Sequence, residues 1–192
     1  MLRQAKELSV VSSTEAPGSR RKSALPPKDA GVSIREIEID DLPAIFHLGE
    51  KLFTAQKVPT LHRTWDEYEV VSLFQNDSSF CFVAETEAEK IIGFALGTVI
   101  EKSHSWTYGY LIWLGIDPDH QHTGVSQKLF RAFRTAAVEE GARIIMVDTE
   151  AGNENALRFF RKLGFNHTRH HVYLSMNVDQ ERRRRGDRRQ ER

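Results

Sequence analysis

Trp113-Leu114-Gly115-Ile116-Asp117-Pro118-Asp119-His120-Gln121-His122-Thr123-Gly124-Val125-Ser126 reads as the end of a strand, a polar turn and the first turn of a helix. Gly124 lets backbone approach a ligand closely, and Ser126 is small. The helix that follows presents free N–H groups and the positive end of its dipole, which suits an anion such as a diphosphate. The turn is not a Walker loop, because Gly-Lys-Ser/Thr is missing. Nor is it a dinucleotide fingerprint, because the second and third glycines are missing. Taken alone it is either a generic anion site or an ordinary strand-to-helix turn.

Upstream of this junction, residues 33–39 alternate with period two, the pattern of a half-buried strand. Asp40 and Asp41 offer N-cap oxygens, and Pro43 suits the first turn of a helix reaching Leu52 and Phe53. Its apolar face is Leu42, Ile45, Phe46 and Phe53. A loop with Pro59 follows. Thr64 is expected to cap a second helix over residues 65–75, with Glu67 as its capping-box partner. Residues 80–86, 91–101 and 108–116 read as three strands in a row.

Downstream, a helix over residues 125–140 buries Leu129, Phe130, Phe133 and Ala137, with Gly141 as its C′ residue. Residues 143–149 are expected to form a strand buried on both faces. Residues 154–163 form a helix whose acid precedes its bases, as the helix dipole prefers, and Gly164 stops it. Residues 165–178 have strand character. This order predicts an α/β sandwich with mixed strand pairing.

Composition sets the broad class. Of 192 residues, 28% are charged and 40% hydrophobic, the balance of a globular domain with a sizeable core. No apolar run approaches the roughly 18 residues needed to span a bilayer. Residues 1–30 lack the apolar block of a secretory signal, so a cytoplasmic location without membrane contact is expected. Cys81, alone in the sequence, is expected to be a buried core thiol. His120 and His122, and His167, His170 and His171, lack zinc spacing, so no metal is expected.

Residues 1–31 are expected to be a disordered extension and residues 179–192 a disordered tail. That leaves one domain over residues 32–178. Residues 179–192 carry seven arginines against four acids, and residues 1–30 six basic against three acidic side chains. With zero formal net charge overall, the body between them is acidic, which suits a cationic acceptor better than nucleic acid. The Arg-rich tail is the one segment suited to nucleic acid or an anionic surface.

Two segments carry a resemblance. Gln121 to Ser126 resembles motif A of the Gcn5-related N-acetyltransferase (GNAT) family, Gln/Arg-x-x-Gly-x-Gly/Ala, with Ser126 at the last small position. Asn153-Glu154-Asn155-Ala156-Leu157-Arg158-Phe159-Phe160-Arg161-Lys162-Leu163-Gly164-Phe165 resembles motif B, Asn-x-x-Ala-x-x-x-Tyr-x-x-x-Gly-Phe. The similarity spans residues 32–178, and in style it is nearest the ribosomal-protein alanine acetyltransferase type. It implies an α/β fold with a mixed, mostly antiparallel central sheet flanked by helices on both faces. It also implies an N-acyltransferase moving acetyl from acetyl-CoA directly to a primary amine of a protein, peptide or small molecule. The alternative is a catalytically weak or inactive acyl-CoA sensor. Oligomeric state is left open.

The resemblance also assigns parts. Backbone at Leu114, Gly115 and Ile116 would bind the pantetheine arm and polarise the thioester carbonyl. Amides of Gln121, His122, Thr123, Gly124, Val125 and Ser126 would hold the diphosphate. Asn153 would contact pantetheine or order the following helix, and Phe160 would lie beside the thioester sulfur. Phe160 departs from the usual tyrosine and cannot donate a proton to the thiolate, so Tyr173 is the candidate donor. The spacing to motif B makes Asp148 the candidate base, with Glu150 and Glu101 as rivals. Trp106, Tyr108 and Tyr110 read either as lining an acceptor groove or as sheet packing, and residues 62–69 either border the acceptor, as the resemblance implies, or pack and cap their helix.

Overall fold

The alternation and helical stripes in the sequence fold into two apolar layers on opposite faces of one sheet. The computed structural model describes residues 31–54, 65–102, 106–172 and 174. The elements are β1 (Val32–Glu36), α1 (Leu42–Leu52), α2 (Glu67–Asp77), β2 (Cys81–Thr86), β3 (Ile91–Ile100), β4 (Tyr108–Ile116), α3 (Val125–Glu139), β5 (Ile144–Met146) and α4 (Glu154–Lys162). The sheet runs β1-β2-β3-β4-β5. The first three pairings are antiparallel, and β5 lies parallel to β4 through the α3 crossover. This is the mixed, mostly antiparallel sheet expected, with helices on both faces.

One face packs against α3 and α4. Leu129, Phe133 and Ala137 of α3 are fully buried there with Ile92, Ala95 and Leu111 of the sheet, and Phe160 joins them from α4. The other face packs against α1 and α2. Ile45, Leu48, Val70 and Leu73 meet Val83, Phe94, Leu96 and Trp113. Trp65 anchors that layer by donating Nε1–H to the Phe46 carbonyl at 3.0 Å and crossing Trp113 edge-on. Cys81 is the core thiol expected, fully buried, with burial pushing its pKa up to about 12.

Several local expectations need correction. Asp41 does not cap α1. Its carboxylate is occupied by Arg35, which donates Nη1–H at 2.6 Å and Nη2–H at 2.8 Å, and by the Glu38 amide at 2.8 Å. The second helix starts at Glu67, not at residue 65, and its cap is Asp66, which accepts from the amides of Tyr68 and Glu69. Asp66 wins because its backbone is extended and its short carboxylate reaches both amides. The β5 strand is only half-buried, and Met146 is exposed. Among the described residues it is one of the two edge strands, covered on the α3 side. Residues 165–172 form no strand. Residues 166–171 are all polar and offer no apolar face to the sheet, and Val172 is 83% exposed. Expectations on residues 1–30, on Pro59, on His62 to Thr64, on Tyr173 and on residues 175–192 lie outside the described residues.

Arg35 also donates to Glu85 at 2.9 Å, so one guanidinium ties β1 to β2 and to the entry of α1. Asp41 is 6% exposed. Burial opposes its charge, but the hydrogen bonds from Arg35 and Glu38 outweigh burial and lower its pKa. Replacing Arg35 by Leu strands a buried carboxylate. We expect a loss of about 2–3 kcal/mol at pH 7, at the low end for a broken buried pair because the arginine is partly solvated. The depressed folded pKa means that this stabilisation is complete above the ordinary carboxylate range near ~4. It is lost as pH falls below that range toward the lowered folded value. Urea denaturation of both proteins from pH 7 to pH 3 checks this: the gap should narrow at the acid end, and a pH-independent gap would refute it.

Candidate active site

The site lies where β4 and β5 part. The pairing of β5 covers only Tyr108, Gly109 and Tyr110 of β4, so Leu111 to Ile116 continue without a partner on that side among the described strands. Asp117 donates its N–H to the Ile92 carbonyl at 2.8 Å, directly opposite in the antiparallel register. Hydrogen-bonding direction alternates along a strand, so the polar groups of Gly115 also face β3. Those of Leu114 and Ile116 therefore face the gap. Gly115 contributes space instead: a Cβ there would sit 2.8 Å from Leu52 Cδ1 and from the Phe94 ring.

A bulge sets this pattern. Leu96 pairs with Trp113 and Gly97 with Leu111, so Ile112 is an extra residue in β4. Before it, odd residues face α3, as Gly109 does against Ile145 and Ala137. After it, even residues do, with Leu114 and Ile116 packed on the α3 layer. Tyr110 therefore points to the α1/α2 face. On β5, Ile145 and Val147 pack on the α3 side, so Asp148 points to the same face as Tyr110. The two meet: the Tyr110 hydroxyl donates to Asp148 Oδ1 at 2.5 Å. Sequence reading placed Tyr110 only as a groove aromatic, because the bulge that turns it toward Asp148 has no composition signal.

The loop follows the open end of β4. Asp117 Oδ1 accepts the Asp119 amide at 2.9 Å and caps the 3-10 turn Pro118–His120. Burial raises the Asp117 pKa, but the Asp119 amide and then Lys90 and His120 lower it overall. Gly124 is the N-cap of α3 at φ 91°, a left-handed conformation that glycine adopts without steric cost. Having no side chain, it leaves the first-turn amides of α3 uncapped, and Val125 and Ser126 open the helix there. Gln121 and His122 are exposed, while Thr123 and Ser126 are half-buried.

The other candidates are placed as follows. Asn153 caps α4, accepting the Ala156 amide at 3.1 Å. Glu150 is half-buried in the turn before α4, where its carbonyl accepts the Asn153 amide at 2.9 Å. Glu101 follows the end of β3 that pairs with Tyr108. It stands about five residues, or roughly 17 Å, along the sheet from the level of Asp148, too far to share its site. Phe160 is 9% exposed, wedged between Phe159 and Phe165 at ring distances of 5.2 and 5.3 Å.

Residues 40–165 match the acetyltransferase (GNAT) family, and the chain belongs to that family. It is 35% identical over 57 residues to N-alpha-acetyltransferase 30 of Schizosaccharomyces pombe, covering 30% of this chain and 38% of that protein. It is 28% identical over 139 residues to mycothiol acetyltransferase of Kocuria rhizophila, covering 70% of this chain and 46% of the relative. The chain thus spans less than half the length of these curated relatives. In fold it is similar to an aminoglycoside acetyltransferase from an uncultured soil metagenomic sample, solved with sisomicin. That likeness has a TM-score of 0.63 at 24% identity and covers 78% of this chain and 97% of the other.

Proposed function

We propose that residues 32–178 form an N-acetyltransferase domain that passes acetyl from acetyl-CoA directly to a primary amine. The observation that carries this reading is the Tyr110–Asp148 pair, set beside the backbone groups of Leu114 and Ile116 that no described strand pairs on the β5 side. Family membership and the acetyltransferase relatives support the donor. The acidic body favours a cationic acceptor.

The chemistry follows from the two sides of the gap. An acceptor ammonium approaches Asp148 from the α1/α2 face and gives it a proton, directly or through one water. The freed amine nitrogen attacks the thioester carbonyl. A backbone N–H of Leu114 or Ile116 hydrogen-bonds the oxygen as it takes up charge. Collapse breaks the C–S bond and releases the CoA thiolate, and the second proton of the attacking nitrogen passes to that thiolate or to water, leaving the neutral amide and CoA. A thiol with a pKa of about 8.5 is a tolerable leaving group, so Phe160 slows rather than forbids this step. The loop amides of Gln121 to Ser126 hold the diphosphate, and the α4 cap at Asn153 keeps that helix start in place.

Phe160 favours a second reading, a domain that binds acyl-CoA without turnover. Thiol release from acetyl-CoA separates the two when measured with N-terminal peptides, polyamines and aminoglycosides as acceptors. Release that depends on one acceptor class supports the transferase and names its substrate. Micromolar CoA binding without release for any of them supports the binder.

A further inference from the structure

Among the described residues, only Glu89 and His122 combine a side chain with a left-handed backbone, at φ 57° and 63°. Glu89 lies in the hairpin turn between β2 and β3, where such a conformation is common. His122 lies inside the loop assigned above to the diphosphate, two residues before Gly124 at φ 91°. A non-glycine residue at this φ is disfavoured by roughly tenfold in population against its right-handed form. Something must hold it there. The imidazole is exposed, so packing is not the cause.

The Thr123 hydroxyl supplies the restraint. It donates to the His120 carbonyl at 2.6 Å, closing a short ring around Gln121 and His122. His120 is itself fixed, because its amide donates to the Asp117 carbonyl at 2.9 Å. Asp117 is fastened to β3 by its own amide and caps the turn with its carboxylate. A continuous run of bonds therefore leads from the sheet to the left-handed residue. Left-handed residues in a turn swing neighbouring N–H groups toward one side, which forms an anion-binding concavity.

We propose that the Thr123 side chain is a positioning residue for the cofactor loop. Its clasp on His120 holds His122 left-handed and so presets the loop amides for a diphosphate. This rests on the reading of the loop as the acetyl-CoA site, which used the Thr123 amide but gave its hydroxyl no part. The clasp acts before the ligand arrives, so its loss appears in affinity and not in the chemical step.

Calorimetric titration of the full chain with CoA tests the proposal. Thr123→Val keeps the shape and removes the hydroxyl, and we expect about a fivefold weaker Kd. Thr123→Ser keeps the hydroxyl and should stay within about twofold. In a His122→Gly background the left-handed turn needs no restraint, so adding Thr123→Val should cost less than about twofold. That coupling separates a clasp from a general packing role. Circular dichroism verifies folding, and Thr123→Ala repeats the deletion with a smaller side chain. Unchanged affinity in both deletion variants, an equal loss in Thr123→Ser, or a full loss persisting beside His122→Gly would overturn the clasp. A wild-type chain that does not bind CoA would instead bring down the loop assignment, and the clasp with it.

Discussion

Asp148→Asn is expected to lower the turnover number for acetyl transfer by about a hundredfold or more and to leave the CoA dissociation constant within about twofold. The substitution preserves volume, and the amide oxygen still accepts from Tyr110, so the local fold is retained. What disappears is the proton acceptor for the incoming ammonium. The effect should shrink as pH rises toward the amine's own pKa, because free amine then needs no base. Tyr110→Phe should give a smaller loss of about tenfold, since it removes the donor that orients the carboxylate and not the carboxylate itself. Steady-state rates from pH 6 to pH 10 with a responsive acceptor decide this. An unaltered rate in Asp148→Asn would remove Asp148 as the base and leave Glu150, a few residues further along the same connection, as the next carboxylate to test.

Gly124→Glu is expected to weaken CoA binding by at least about a hundredfold while the domain stays folded. Two penalties add. An L-residue at φ 91° pays the left-handed cost that glycine avoids. The new carboxylate then sits at the start of α3, where it occupies the positive helix end and repels a diphosphate. The same charge at a helix start is favourable for the helix itself, which is why folding survives. Titration with CoA and a thermal melt measure the two effects separately. Retained affinity would show that the diphosphate does not use this loop.

Much of the architecture was legible because its signals are local. The buried stripe Leu129, Phe130, Phe133 and Ala137 fixed α3, and Gly141 and Gly164 end their helices as left-handed residues. The loop's place between β4 and α3 followed from Asp117-Pro118 and Gly124. What failed were features set by contacts that no local pattern displays. Asp41 has the chemistry of a cap, but Arg35, six residues away, captures it with two hydrogen bonds. Residues 165–172, read as the start of a strand, hold six polar residues between Phe165 and Val172 and pair with no described strand. The Tyr110–Asp148 contact spans 38 residues and depends on one unpaired residue in β4, which no periodicity displays. Phe160 was visible as a departure from the motif B tyrosine, and its burial between two phenylalanines adds that the position is filled as core.

The extra residue at Ile112 divides β4 into two stretches with separate evolutionary freedom. Upstream, under the proposed function, the face toward the acceptor is made of side chains, so exchanging Tyr108 or Tyr110 would suit it to a new amine. Downstream, the groups offered to the gap belong to the main chain of Leu114 and Ile116, and most substitutions there leave them unaltered. Under that proposal, acceptor choice would be open to change by substitution while the grip on the donor would not. Taking Ile112 into the ladder would swap the faces of every upstream residue at once and turn Tyr110 away from Asp148, whereas deleting it restores plain alternation and leaves Tyr110 where it is.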